Sequence, residues 1–334
     1  MKRLLAALLL LSAAADLSAQ TVTGEATATL GASSDDVRVA ATQARVFGQL
    51  DRFRFFAEGA WTTSTTRPDG RSSEAFSTAY PYEGPPHVMD AYVERRIGRD
   101  RVFGVVRGGR FRTPFGIHDA SDYAYNGFLR APLIRYEGYW SLTNTLFEHG
   151  VNVMVGTPHL QGEVTVARPG DVSEDFRRRA GADVVLRAQA FAGPFVVGLS
   201  HLEAQGYDVE YASGRMVFTG VDVRWMKGGV QLRSEWLVGR PWDGAGTSGG
   251  YLDVIVHRPF MGPATLVARA ETLDYDVPDP AYADAAAGVS LGTRIALARG
   301  LFGQVNVTHR PAAPYGRNAT ATDVALTYTA RFGR

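Results

Sequence analysis

The feature that most limits what this chain can fold into is the regular alternation of long and short gaps between strand-like segments. From Thr21 onward the sequence reads as about sixteen segments of alternating side chains, near 21–31, 37–50, 52–63, 88–98, 102–113, 147–157, 161–168, 178–191, 195–205, 215–227, 230–240, 251–258, 264–274, 287–298, 302–310 and 322–332. Long gaps (31–37, 64–87, 114–146, 168–177, 205–214, 240–250, 274–287, 311–321) are separated by short ones (near 51, 98–101, 157–161, 192–194, 227–229, 259–263, 299–301). A soluble sandwich has no cause to sort its connectors this way. A transmembrane antiparallel β-barrel does, with long loops on one side of the membrane and tight turns on the other. About ten tilted residues cross a bilayer as a strand, so the segments are long enough. The expected fold is therefore all-β, a barrel of about 16 strands over residues 20–334.

Alternation within the segments assigns two faces. Val324, Leu326, Tyr328, Ala330 and Phe332 oppose Asp323, Thr327, Thr329 and Arg331, and Val221 and Val223 oppose Asp222 and Arg224. Val289, Leu291, Ile295 and Leu297 oppose Ser290 and Arg294, while Leu232, Trp236 and Val238 oppose Arg233 and Glu235. In a membrane barrel the apolar set faces lipid and the charged set lines water. The phase slips around Arg107 and around His201, where a bulge is the available explanation. Trp61, Trp140, Trp225, Trp236, Trp242, Tyr251, Phe302 and Phe332 sit towards segment ends, as rings at a membrane interface do.

The first residues suit an exported protein. Lys2 and Arg3 precede the apolar run Leu4–Ala15, too short to span a bilayer, so residues 1–19 are expected to be a secretory signal peptide. The whole sequence has no cysteine. Without 1–19 the basic and acidic side chains balance at 33 each, which argues against a nucleic-acid partner. No pair of histidines and carboxylates has metal-ligand spacing, no cofactor is expected, and the seven histidines show no catalytic arrangement. The competing expectation is a barrel hydrolase acting on lipid or ester, for which His118, Asp119 and Ser121 are the nearest group. Arg177–Arg179 reads as a solvated basic run.

The segment Val102–Gly116, VFGVVRGGRFRTPFG, places Arg110 and Arg112 on one face of a strand that Pro114 ends. The long gap that follows is the third. Within Ala91–Asp119, the run Gly109, Arg110, Phe111, Arg112, then Pro114, Phe115, Gly116, resembles the phosphate-selective porins O and P of bacterial outer membranes. That resemblance implies an inward-folded third external loop, a homotrimer of water-filled barrels, passage of small hydrophilic or anionic solutes, and insertion by the outer-membrane assembly machinery among outer-membrane lipids. It also implies location in the outer membrane of a Gram-negative-type bacterium. Lysines contribute to anion selection in that family, whereas the only lysine after the leader is Lys227, at a short turn.

The expected constriction consists of Arg110, Arg112, Arg130 and Arg135, with Arg96, Arg224, Arg233 and Arg294 lining the lumen. Over all segments the inward set holds twelve arginines (52, 54, 96, 110, 112, 187, 224, 233, 269, 294, 310, 331) against nine carboxylates (58, 90, 94, 183, 222, 235, 253, 271, 323). Charges along a narrow aqueous passage act strongly on permeant ions, so a mild anion preference follows, with phosphate as one candidate.

Overall fold

The computed structural model describes residues 21–64, 76, 84–99, 101–117, 127–135, 147–170, 178–207, 214–257, 262–276, 285–312 and 319–333. Residues 1–20 and parts of several long connectors lie outside this set. Sixteen strands run in chain order: β1 (Thr21–Ser33), β2 (Arg38–Leu50), β3 (Phe53–Ser64), β4 (Gly84–Gly98), β5 (Phe103–Arg112), β6 (Phe147–Gly156), β7 (Leu160–Pro169), β8 (Asp183–Ala192), β9 (Phe195–Gln205), β10 (Arg215–Lys227), β11 (Val230–Arg240), β12 (Gly246–His257), β13 (Ala264–Asp276), β14 (Ala285–Ala298), β15 (Leu301–Ala312) and β16 (Ala319–Gly333). Each pairs antiparallel with the next, and β16 pairs with β1, closing the barrel. Closure leaves no edge, so every strand can satisfy its backbone within lipid.

The outward phase is apolar. Leu30, Val93, Val151, Leu199, Val221, Leu252, Leu291 and Leu326 are all exposed on it. In water such a girdle would be an aggregation surface; against acyl chains it is the complement of the bilayer. The inward phase holds the buried polar residues: Glu58, Asp222, Arg233, Glu235, Asp253, Arg269, Glu271, Asn306 and Asp323. The barrel thus inverts the usual arrangement, with charge inside and hydrocarbon outside.

Short connectors are built from turn residues. Gly228 and Gly229, at φ 61° and 82°, join Lys227 to its ladder partner Val230, the left-handed pair that a two-residue hairpin requires. The expected phase slips at Arg107 and His201 are not present, because both ladders run without interruption. His201 lies on the outward phase and bonds Thr219 at 2.9 Å. Irregularities lie elsewhere: on β4, Glu58 pairs Asp90 but Gly59 pairs Val88, leaving Met89 as an extra residue, and the register shifts again between Ala60 and Thr62 and twice along the β14–β15 ladder.

Of the expected interface rings, Trp61, Trp236 and Phe332 are exposed outward. Tyr251 is buried on the inner wall, and Phe302 lies under the Arg294 guanidinium at 3.8 Å, so these two are corrected to inward positions. Trp242 is buried in the connector after β11, and Trp140 lies outside the described residues.

Candidate functional site

The two described pieces of the third long connector, 113–117 and 127–135, touch inward side chains from strands around much of the barrel. The Gly116 N–H donates to Ser200 Oγ on β9 at 3.1 Å. The Leu133 N–H donates to Glu271 on β13 at 2.9 Å, and the Leu129 N–H donates to Asn306 Oδ1 on β15, also at 2.9 Å. The side chain of Asn306 returns a bond to the Gly127 carbonyl at 2.9 Å. Phe115, Leu133 and Ile134 are fully buried against Val185, Leu202, Met216, Phe218, Leu237, Tyr251 and Leu273. Burial of this kind contributes about 1.5–3 kcal/mol per large side chain. Between them the two pieces meet β9, β13 and β15, so they lie against the inside of the barrel.

Arginines fasten it. Arg130 donates from Nε and Nη2 to Asp323 at 2.6 and 2.9 Å and from Nη2 to Asp35 at 2.9 Å. Arg135 pairs with Glu235 on β11 and donates to the Phe115 carbonyl at 2.9 Å. Its guanidinium stacks over the Phe115 ring, 5.2 Å from the centroid. Arg269 donates to the Arg130 carbonyl at 2.8 Å, ion-pairs Asp253 at 2.7 Å and covers Phe128 at 4.0 Å. Arg233 shares the same Asp253 at 2.7 Å. Buried charges are stable only when each has an opposite charge beside it, as here.

Arg110 and Arg112 tie β5 to β4. The ladder sets Arg107 opposite Glu94 on the inward phase and Arg110 opposite Ala91 and His149 on the outward one. The uninterrupted alternation from Arg107 forces this. Arg110 Nε donates to the carbonyls of Val88 and Met89, beside the bulge, at 3.0 and 3.1 Å. Beyond the last β4–β5 rung, Arg112 turns back to Glu58 at 2.7 Å and Asp90 at 3.5 Å. Its N–H donates to Asp90 at 3.0 Å in place of a ladder partner. Both guanidinium groups lie over the Phe147 ring, at 5.2 and 5.3 Å. Gly109, between them and Arg107, has φ 139°, and a Cβ there would meet the β4 backbone at Tyr92, so only glycine fits.

The other expected lining residues divide by depth. Arg233 is buried, as described. Arg96 is exposed and stacks over Phe103 at 4.7 Å; Arg224 is about one-third exposed, 3.9 Å from Asp222. Arg294 is half-buried over Phe302. His118, Asp119 and Ser121 lie outside the described residues.

Sequence reasoning missed three inward groups. Arg45 bridges Glu58 at 2.9 Å and Glu25 at 4.0 Å. Arg178, read as part of a solvated run, is buried between Glu148 at 2.8 Å and Asp183 at 3.1 Å; a basic run gives no hint of which member turns in. Phe76, from the second long connector, is buried with Val39, Ala41, Leu129 and Ala325. The flanks of Phe76 carry no strand pattern, so nothing in the sequence singled it out.

Comparison with known proteins came out one-sided. No family model and no curated protein matches the sequence. Solved structures match the fold: an anion-selective porin from Comamonas acidovorans (13% identity, 93% of this chain and 99% of that one, TM-score 0.60), OmpT, an outer membrane protein of Vibrio cholerae, in trimer form (12%, 92% and 98%, 0.58), and a triple mutant of the Rhodopseudomonas blastica porin (10%, 92% and 99%, 0.51). At these identities the likeness concerns the fold, which is that of the outer-membrane porins.

Proposed function

We propose that this chain is an outer-membrane porin that passes small hydrophilic solutes by diffusion with a mild preference for anions. The observation that carries this reading is the segment 127–135, clamped across the inside of a closed barrel whose outer face is apolar. A plain lipid-embedded scaffold has no need of a charged interior crossed by an ordered strap; a channel that must be narrowed does. Sixteen strands enclose more room than side chains alone fill.

The arginines divide the work. Arg130 and Arg135 hold the strap that narrows the channel, while Arg110 and Arg112, expected in the constriction, instead brace β5 against β4 where the chain enters the connector. The guanidinium groups that meet passing ions are the more exposed inward ones: Arg331, with 78% of its side chain accessible, Arg54 with 57%, Arg224 with 34%, and Arg96. Such groups attract an anion without holding it tightly, as conduction demands. Phosphate is one candidate, on the likeness of the Gly109–Gly116 run, and assembly as a homotrimer is the state in which a porin-like barrel would work. The hydrolase alternative has no observation among the described residues in its favour.

Purified protein in a planar lipid bilayer tests the reading. Discrete conductance steps are expected, with a reversal potential under a potassium chloride gradient that indicates chloride over potassium. Absence of steps, with hydrolysis of lipid or ester substrates, would replace the porin by the enzyme. A cation-selective reversal potential would overturn the assignment of the exposed arginines.

A further inference from the structure

One rung of the inner wall differs from its neighbours. Phe47, Phe56 and Tyr92 are direct ladder partners across β2, β3 and β4. Their ring centroids stand 4.8 and 5.3 Å apart, tilted 46° and 41°. The rung ends in residues that cover nothing: Thr23 beside Phe47 and Gly109 beside Tyr92. Phe47 is 45% exposed although it is on the inward phase, in step with the half-buried Arg45. An apolar ring left open on a charged aqueous wall has no packing role to explain it.

The rungs on either side are charged. Towards the short turns lie Arg54, Glu94 and Arg107, with Arg54 at 3.7 Å and Arg107 at 3.3 Å from the one carboxylate. Arg107 also stacks over Tyr92 at 4.4 Å. On the other side lie Glu25, Arg45, Glu58 and Arg331, with Arg331 2.8 Å from Glu25. Residues two apart on a strand place these rungs about 7 Å from the aromatic one. Two recesses, of about 300 and 310 Å³, open here and share Thr23 and Phe47; one holds Arg54 and Tyr92, the other Arg331. Each is large enough for a single benzene ring with its substituent.

We propose that this rung is a solute subsite for aromatic carboxylates, the ring packing on Phe47 and Phe56 and the carboxylate reaching the exposed guanidinium of Arg54 or Arg331. Aromatic rings pair at the offset and tilted angles already seen along the rung. A guanidinium at the rim donates bidentately to a carboxylate, and the lower rung has two arginines for one glutamate. The tilt argues against sugars, which need a continuous flat aromatic face. The subsite rests on the porin reading for its access from water, and it gives that reading a solute class.

The test uses 4-fluorobenzoate and the whole folded protein. In detergent, fluorine line broadening reports binding whether or not the barrel conducts. In bilayers, millimolar benzoate should lower chloride current while acetate and maltose do not. Phe47→Ala should weaken both effects at least fivefold, Phe47→Leu about as much because the ring is lost but the volume kept, and Arg54→Gln should weaken benzoate while sparing benzyl alcohol. Heat-modified migration on gels verifies that each variant is folded. Broadening that is equal for fluoroacetate, or unchanged in folded Phe47→Leu, would overturn the subsite. Block by maltose alone would make it a sugar site instead. Binding without any conductance would leave the subsite standing and remove the porin.

Discussion

Replacing Arg130 tests whether the strap is held by charge. Arg130 is 7% exposed, and its main partner Asp323 is fully buried, whereas Asp35 keeps 16% of its side chain in solvent. Arg130→Met removes the cation and leaves Asp323 charged without its ion-pair partner inside the barrel. Loss of one member of a buried pair costs about 3–5 kcal/mol, and most of it falls on Asp323 because Asp35 can turn to water. Arg130→Met combined with Asp323→Leu removes both charges and should restore most of the loss, since apolar replacements of buried pairs are often neutral. Urea unfolding in detergent micelles, followed by tryptophan fluorescence, measures Arg130→Met, Asp323→Leu alone and the double variant. If the double variant loses the sum of the two single losses to within about 0.5 kcal/mol, the groups are not coupled and the clamp is wrong.

Two further outcomes concern the barrel. Leu291→Arg, on the outward phase where Leu291 is 64% exposed, should cost about 2–4 kcal/mol by the same unfolding assay, while Gln161→Arg on the half-buried inward phase should cost far less. A peptide tag inserted after Gly244, in the connector between β11 and β12, should be labelled on intact cells, and one after Gly228 should not; the reverse pattern would invert the orientation.

Strands β9, β10 and β11 coincide with the expected spans because short turns at 193–194 and 228–229 mark one end of each. β12 begins at Gly246, not near 251, since Gly-Thr-Ser-Gly-Gly reads as loop. The glycines are there for space: a Cβ on Gly249 would come within 2.8 Å of the Leu273 backbone and 3.1 Å of Ile134 on the strap. β4 likewise begins at Gly84 despite Pro85 and Pro86. Its first part pairs with β3 alone, the β4–β5 ladder stopping at Ala91, so a residue without an N–H is tolerated on the open side. The faces were legible from the alternation of apolar and polar side chains. The partners of the inward arginines were not, because ion pairs such as Arg130 with Asp323 join positions nearly two hundred residues apart. Arg110 and Arg112 show the limit most clearly. Period two puts them on one face, but which face depends on the register carried from Arg107.

Arg130 also sits at an unusual place in the ring of strands. Every ladder joins strands adjacent in sequence except β1 with β16, where Thr29 and Thr327 meet at 2.8 Å across 298 residues. That joint has the largest loop to close and two bare edges until it does. Arg130 reaches one side of it at Asp323 on β16 and the other at Asp35 and Ser33, just past or on β1. The strap is therefore a rivet across the barrel's only long-range joint. The seam and the strap share one fastening, and a loss at Arg130 loosens both together.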